Sequence, residues 1–224
     1  MVDASQKRSI RSYVLRQGRT TPSQKLSLEK LLPIFGITFS DQTLDPKAIF
    51  GRIAPLVLEI GSGMGETTAE IARQNPGTDF IAIEVHGPGV GSLLKRIEAL
   101  ELKNLRVIRH DAAEVLERMI PEGSLAGIHL FFPDPWPKKR HHKRRLVQPP
   151  FAALAARKLA PGGHFHAATD WPEYAAQIEE VFSSSSFFEK DLQERKGRPV
   201  TKFERRGIGL GHPVRDLLFL RRNE

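Results

Sequence analysis

The chain has 224 residues, 40% of them hydrophobic, enough for one α/β domain with a core and too many for a disordered chain. Its 34 Lys and Arg against 26 Asp and Glu give a formal net charge of +8, so a polyanionic partner competes with a merely solvated basic face as the explanation. It contains no cysteine, which excludes disulfides, thiolate metal sites and cysteine nucleophiles, and no apolar run reaches the length of a membrane span or a signal-peptide core, so the cytoplasm is the expected compartment.

Residues 1–27 are polar and basic without sustained periodicity, with Lys7, Arg8, Arg11, Arg16 and Arg19 among Ser and Thr. The composition resembles an organelle presequence, but a flexible RNA-contacting arm is the preferred reading, with residues 28–224 as a single domain. Ser27 to Phe35 is a leucine-rich helix or turn, and residues 41–53 form a linker with Pro46 and Gly51. The run Leu56-Val57-Leu58-Glu59-Ile60 ends in a glycine cluster, the pattern of a buried parallel strand feeding a turn. Strands are then expected at 78–85, 105–110, 125–132, 164–169, 187–192 and 217–221. Helices are expected at 66–74, 91–102, 112–119, 149–159 and 172–182, the last with Asp170 as a possible N-cap. Pro161-Gly162-Gly163 should stop the fourth of these helices. Such alternation predicts a Rossmann-like, mostly parallel seven-stranded sheet with helices on both faces, and ligands at the carboxyl ends of its strands.

Gly61, Gly63 and Gly65 permit a tight turn and close approach of backbone to a ligand. An ordinary strand–helix turn fits them. The dinucleotide fingerprint G-x-G-x-x-G does not, because its last position is Glu66. Glu84 follows about twenty residues on, where an acid can bind both hydroxyls of a ribose. Glu59, Glu84, Asp111 and Asp134 all fall at strand carboxyl ends. A rim of four acids repels a pyrophosphate and suits a cationic sulfonium, although any one of them could be a helix cap or a solvated loop residue.

After the fourth strand comes Phe131-Phe132-Pro133-Asp134-Pro135-Trp136-Pro137, whose prolines hold a loop extended. Asp134 beside Trp136 suits a base that is stacked and read along its edge. Trp136 fits equally well as a side chain packed on the core. Next come Lys138, Lys139, Arg140, His141, His142, Lys143, Arg144 and Arg145, of which six are Lys or Arg. Most charge runs are only solvated, but this one adjoins the loop and can hold phosphates there. The two histidines sit among cations that would repel a metal ion, and no metal site is expected.

The glycine segment resembles motif I of the class I methyltransferases. FFPDPWPKKRHHKRR resembles the signature loop of the bacterial tRNA (guanine-N7)-methyltransferases. So do Arg11 to Arg19, Thr201 to Gly207 and the later Leu210-Gly211-His212 and Asp216-Leu217, and the match spans nearly the whole chain. This resemblance implies a class I methyltransferase fold, S-adenosylmethionine as cofactor and tRNA as partner, with methyl transfer to N7 of a guanosine in the variable loop. It implies that Glu59, Gly61, Gly63, Gly65, Glu84, Asp111 and Asp134 bind cofactor and that Asp134 is catalytic. Lys138, Asp170, Thr201, Lys202, Phe203 and Glu204 would contact substrate, and Arg140, His141, His142, Lys143, Arg144 and Arg145 would contact RNA. Whether the chain is a monomer or a homodimer stays open. Two other readings remain: an exocyclic-amine RNA methyltransferase, and a non-catalytic RNA-binding protein on the same fold.

Overall fold

Short apolar runs bounded by glycine and proline become strands, and the amphipathic stretches between them become helices, in a computed structural model that describes residues 11–14, 19–192, 197–200, 204 and 213–223. The helices are α1 (Pro22–Phe35), α2 (Pro46–Phe50), α3 (Glu66–Gln74), α4 (Gly87–Ala99), α5 (Ala112–Arg118), α6 (Pro149–Lys158) and α7 (Pro172–Ser183). The strands are β1 (Leu56–Ile60), β2 (Asp79–Ile83), β3 (Leu105–Ile108), β4 (Leu125–Phe131), β5 (Leu159–Thr169), β6 (Phe188–Asp191) and β7 (Arg215–Arg221). They form one sheet in the order β3-β2-β1-β4-β5-β7-β6. β1 to β5 are parallel, and β7 is antiparallel to both β5 and β6. The chain order reverses between β1 and β4, and that switch point opens a crevice at their carboxyl ends.

Strand alternation sorts the core into two layers. Leu56, Leu58 and Ile60 pack with α5, α6 and α7, through residues such as Leu116, Phe151, Tyr174 and Phe182. Val57 packs with Leu31 of α1, Ile71 of α3 and Leu93 and Ile97 of α4. Among the described residues, no helix is long and apolar enough to cross a membrane.

Several boundaries differ from the sequence reading. α1 starts at Pro22, so the expected arm boundary between residues 27 and 28 falls inside a helix. Thr21 caps it and Gln24 completes a capping box, which fixes a helix start the leucine pattern did not mark. The expected linker contains α2, capped by Asp45 and closed by left-handed Gly51. α4 starts at Gly87, four residues before expectation. Its glycines are packing sites rather than breakers: a Cβ on Gly89 would lie 2.5 Å from the Gly63 carbonyl oxygen, and one on Gly91 2.6 Å from that of Gln24. β5 starts at Leu159, because its pairing with β4 resumes after a register shift across the proline–glycine stretch. Trp171, not Asp170, is the N-cap of α7, and its side chain makes no capping hydrogen bond.

Candidate active site

β1 delivers the chain into a loop in which Gly61, Gly63 and Gly65 have φ of 75°, 55° and 75°. These are left-handed values that other residues adopt only with strain. A Cβ on Gly61 or Gly63 would meet nothing within 4 Å, so the backbone there faces open space. Gly65 lies at the rear, where a Cβ would come within 2.5 Å of Leu93. Beside this loop is a cleft of about 220 Å³ lined by Gly61, Glu84, His110, Phe132 and Asp134, with Ser12 and Tyr13 forming part of its wall.

The four acids of the rim have four different circumstances. Glu84 lines the cleft, and its carboxylate accepts the Gly63 N–H at 2.7 Å and the His86 N–H at 2.9 Å. It holds the glycine loop to the start of α4 and keeps acceptor capacity for a ligand. Glu59 is 3% exposed and does not line the cleft. It shares the strand phase of Val57, pointing toward α3, where Thr68 donates to Oε1 at 2.8 Å. Its Oε2 is buried with no hydrogen-bond partner among the described residues. Burial first, and then the Glu84 charge, push its pKa up to about 7 against the Thr68 hydrogen bond. An orphaned buried carboxylate oxygen is costly and fits a missing donor such as an ammonium group. Asp111 caps α5, accepting from the Ala113 and Glu114 N–H groups, and lines the neighbouring groove with Arg11 and Arg144 rather than the cleft. Burial, and then the Asp111 charge, raise the pKa of the nearby Tyr13 hydroxyl. Asp134 is exposed at the cleft mouth.

The Asp134 loop bends where Phe132 and Trp136 take φ of 52° and 47°. Non-glycine residues rarely adopt such values, so side-chain contacts must hold them. The Trp136 indole N–H donates to the Ser12 carbonyl at 3.1 Å, and the Arg144 guanidinium lies 5.0 Å over its ring. Trp136 is therefore a brace of the loop. The basic run forms a 3-10 turn over Lys139–Arg144, with Lys138, Lys139, Arg140 and Lys143 exposed. Partial burial, then Arg140, Arg144, Lys138 and Lys143, hold the His141 imidazole below its ordinary pKa.

The family described as "Putative methyltransferase" matches residues 53–217. A tRNA (guanine-N(7)-)-methyltransferase of Nitrosomonas europaea is 57% identical over 95% of this chain and 96% of its own length. One from Chromobacterium violaceum is 54% identical over 96% and 97% respectively. The chain belongs to the tRNA (guanine-N7)-methyltransferase family. The 16S rRNA methyltransferase KamB superposes with a TM-score of 0.58 over 79% of this chain and 92% of its own. The antibiotic-resistance methyltransferase Kmr gives 0.53 over 84% and 95%. At 17% and 19% identity these two likenesses show the fold alone, the class I methyltransferase sheet.

In this methyltransferase the cleft gathers Gly61, Glu84 and Asp134, with Gly63 tied in through Glu84. Glu59 and Asp111 stand off it for the reasons above. Arg145, expected as an RNA contact, is 4% exposed, unlike its exposed neighbours in the run. It donates to the Pro135 carbonyl at 2.8 Å and to Gln177 Oε1 at 2.8 Å, and lies 5.0 Å over Tyr174. A cation so desolvated and occupied anchors the loop to α7. Glu204, expected as a substrate contact, is 2% exposed and paired with Arg198 at 2.9 Å. Asp170 is exposed at the carboxyl end of β5, outside the cleft lining. Thr201, Lys202 and Phe203 lie outside the described residues. Sequence reasoning missed Ser12, Tyr13 and His110 as wall residues, and Phe39, which stacks on His110 at 3.6 Å. Ser12 and Tyr13 fall within the stretch Arg11 to Arg19 that carries the family resemblance, which was their one signal.

Proposed function

We propose that this chain transfers a methyl group from S-adenosylmethionine to N7 of a guanosine in the tRNA variable loop, with Asp134 as the catalytic carboxylate. The observation that carries this reading is the placement of Asp134: it stands at the mouth of the cleft that the glycine loop and Glu84 line, and the exposed cations begin at Lys138, just ahead of the 3-10 turn.

When bound, S-adenosylmethionine supplies an electrophilic methyl group on a cationic sulfur. Glu84 would hold the ribose hydroxyls, and the unsatisfied Oε2 of Glu59 suits the amino group, directly or through a water. Guanine N7 has an available lone pair and no proton to lose, so no general base is needed at the nucleophile. Rate then comes from in-line positioning and from electrostatics. Asp134 would accept from the N–H edge of the guanine and stabilise the positive charge that develops on the purine. Lys138, Lys139, Arg140 and Lys143 would hold flanking phosphates. The deep groove of A-form RNA hides N7 from side chains, which favours a loop or an opened tertiary contact as the target.

The test is incubation with unmodified tRNA and labelled S-adenosylmethionine, followed by nucleoside analysis. The expected product is 7-methylguanosine confined to the variable loop. Label on an exocyclic amine, or at another guanosine, would contradict the reading.

A further inference from the structure

Arg198 stands apart from the basic run, between Gly197 and Pro199. Its side chain is 0% exposed. Nε and Nη2 donate to the two oxygens of Asp216 at 2.8 and 2.7 Å, and Nη1 donates to Glu204 Oε2 at 2.9 Å. Asp216 Oδ1 also lies 2.8 Å from His166 Nε2, a contact that ties the cluster to β5. The guanidinium lies 5.6 Å from the centre of the Phe131 ring and 5.5 Å from that of Phe132. A buried ion cluster is weak evidence of stabilisation, since desolvation offsets the attraction. What this cluster specifies is a position. Phe131 ends β4, Phe132 opens the Asp134 loop at a φ of 52°, and both line the cleft.

We propose that Arg198 is a positioning residue for methyl transfer: clamped by Asp216 of β7 and by Glu204, its guanidinium fixes the Phe131–Phe132 root of the loop and so sets where the Asp134 carboxylate stands. The inference rests on the reading of Asp134 given above. Lysine cannot reproduce the clamp, because one ammonium does not make a flat bidentate pair and lie against two rings together.

The experiment compares Arg198→Lys, Glu204→Gln, their double variant and Asp134→Ala by thermal unfolding, S-adenosylmethionine calorimetry, KM for tRNA and single-turnover methylation. For Arg198→Lys, cofactor affinity and KM should stay within about threefold, while the single-turnover rate falls about a hundredfold, the cost of a misplaced reacting group. Glu204→Gln leaves the pairing with Asp216 intact and serves if Arg198→Lys does not fold. It should slow the step about tenfold, and the double variant should be no slower than Arg198→Lys, since both changes act on one clamp. A wild-type rate in folded Arg198→Lys, or in Glu204→Gln if Arg198→Lys does not fold, overturns the inference. So do losses confined to KM, or losses that add in the double variant, which would mark Glu204 as a direct RNA contact. A normal rate for Asp134→Ala overturns the loop reading and this inference with it. Slow Asp134→Ala beside normal Arg198→Lys overturns the positioning role alone.

Discussion

The glycine loop after β1 and the proline loop after β4 leave adjacent parallel strands at the same end of the sheet, yet they hold their shapes by different means. In the first, Gly61, Gly63 and Gly65 take left-handed φ without strain, and the nearby Glu84 binds the loop's backbone. In the second, Phe132 and Trp136 take left-handed φ that their side chains disfavour. Groups outside the loop hold them there: Arg198 on Phe132 and Ser12 on Trp136 from far along the chain, and Arg144 on Trp136 and Arg145 on the Pro135 carbonyl from the basic run that follows. The glycine loop thus owes its shape mostly to its own residues, and the proline loop to contacts made from outside it. Loss of a distant side chain should therefore disturb methyl transfer before it disturbs cofactor binding.

The largest effect should come from Gly65→Ala. Left-handed strain of about 1–2 kcal/mol adds to overpacking against Leu93 of about 1–3 kcal/mol. Chemical denaturation should show most of that loss, and calorimetry should show cofactor affinity falling with it. Unchanged values would mean that the loop is softer than its geometry implies.

Next is Glu59. Its folded-state pKa of about 7 lies above the ordinary 4.5, so between those values the folded protein binds more protons than the unfolded chain. Stability contributed by the neutral carboxyl is complete below pH 4.5 and is lost as pH rises through 7, by about 3 kcal/mol at most. Glu59→Gln should remove that decline from a plot of unfolding free energy against pH. A decline that persists would assign it to another group.

On the other loop, Trp136→Phe keeps an aromatic ring beneath Arg144 but shrinks it and deletes the N–H bond to Ser12, the bond alone being worth about 0.5–1.5 kcal/mol. Single-turnover methylation should slow severalfold with cofactor affinity unchanged. Equal losses in both would erase the distinction between the loops. The smallest effect separates the exposed cations from the buried one. Lys139→Ala with Lys143→Ala should flatten the salt dependence of tRNA binding by roughly one to two units of log–log slope. Arg145→Lys should leave that slope alone. A flattened slope in Arg145→Lys would return that residue to the RNA surface.

The strand–helix alternation and the glycine turn after β1 were legible because period and turn residues act locally. The start of α4 was hidden because Gly87 and Gly89 carry no apolar periodicity, and only the fold sets the Gly63 carbonyl oxygen against Gly89. Glu59, Glu84, Asp111 and Asp134 look equivalent in sequence. Side-chain phase turns Glu59 toward α3, and helix capping takes Asp111, neither of which a strand-end position discloses. Arg145 was indistinguishable from the five other cations of its run, because only the fold places Gln177 and Tyr174 around it. Arg198 carried no signal at all, since Asp216 and Glu204 lie 18 and 6 residues away in sequence.

The central claim is that a fixed negative charge at Asp134, rather than a proton acceptor, drives transfer to N7. Single-turnover methylation of unmodified tRNA by Asp134→Asn, with product identified by nucleoside analysis, tests it most directly, because asparagine keeps the size and loses the charge. The rate should fall about a hundredfold or more, with tRNA affinity little changed and the residual product still 7-methylguanosine. A near-normal rate would contradict the electrostatic role of Asp134.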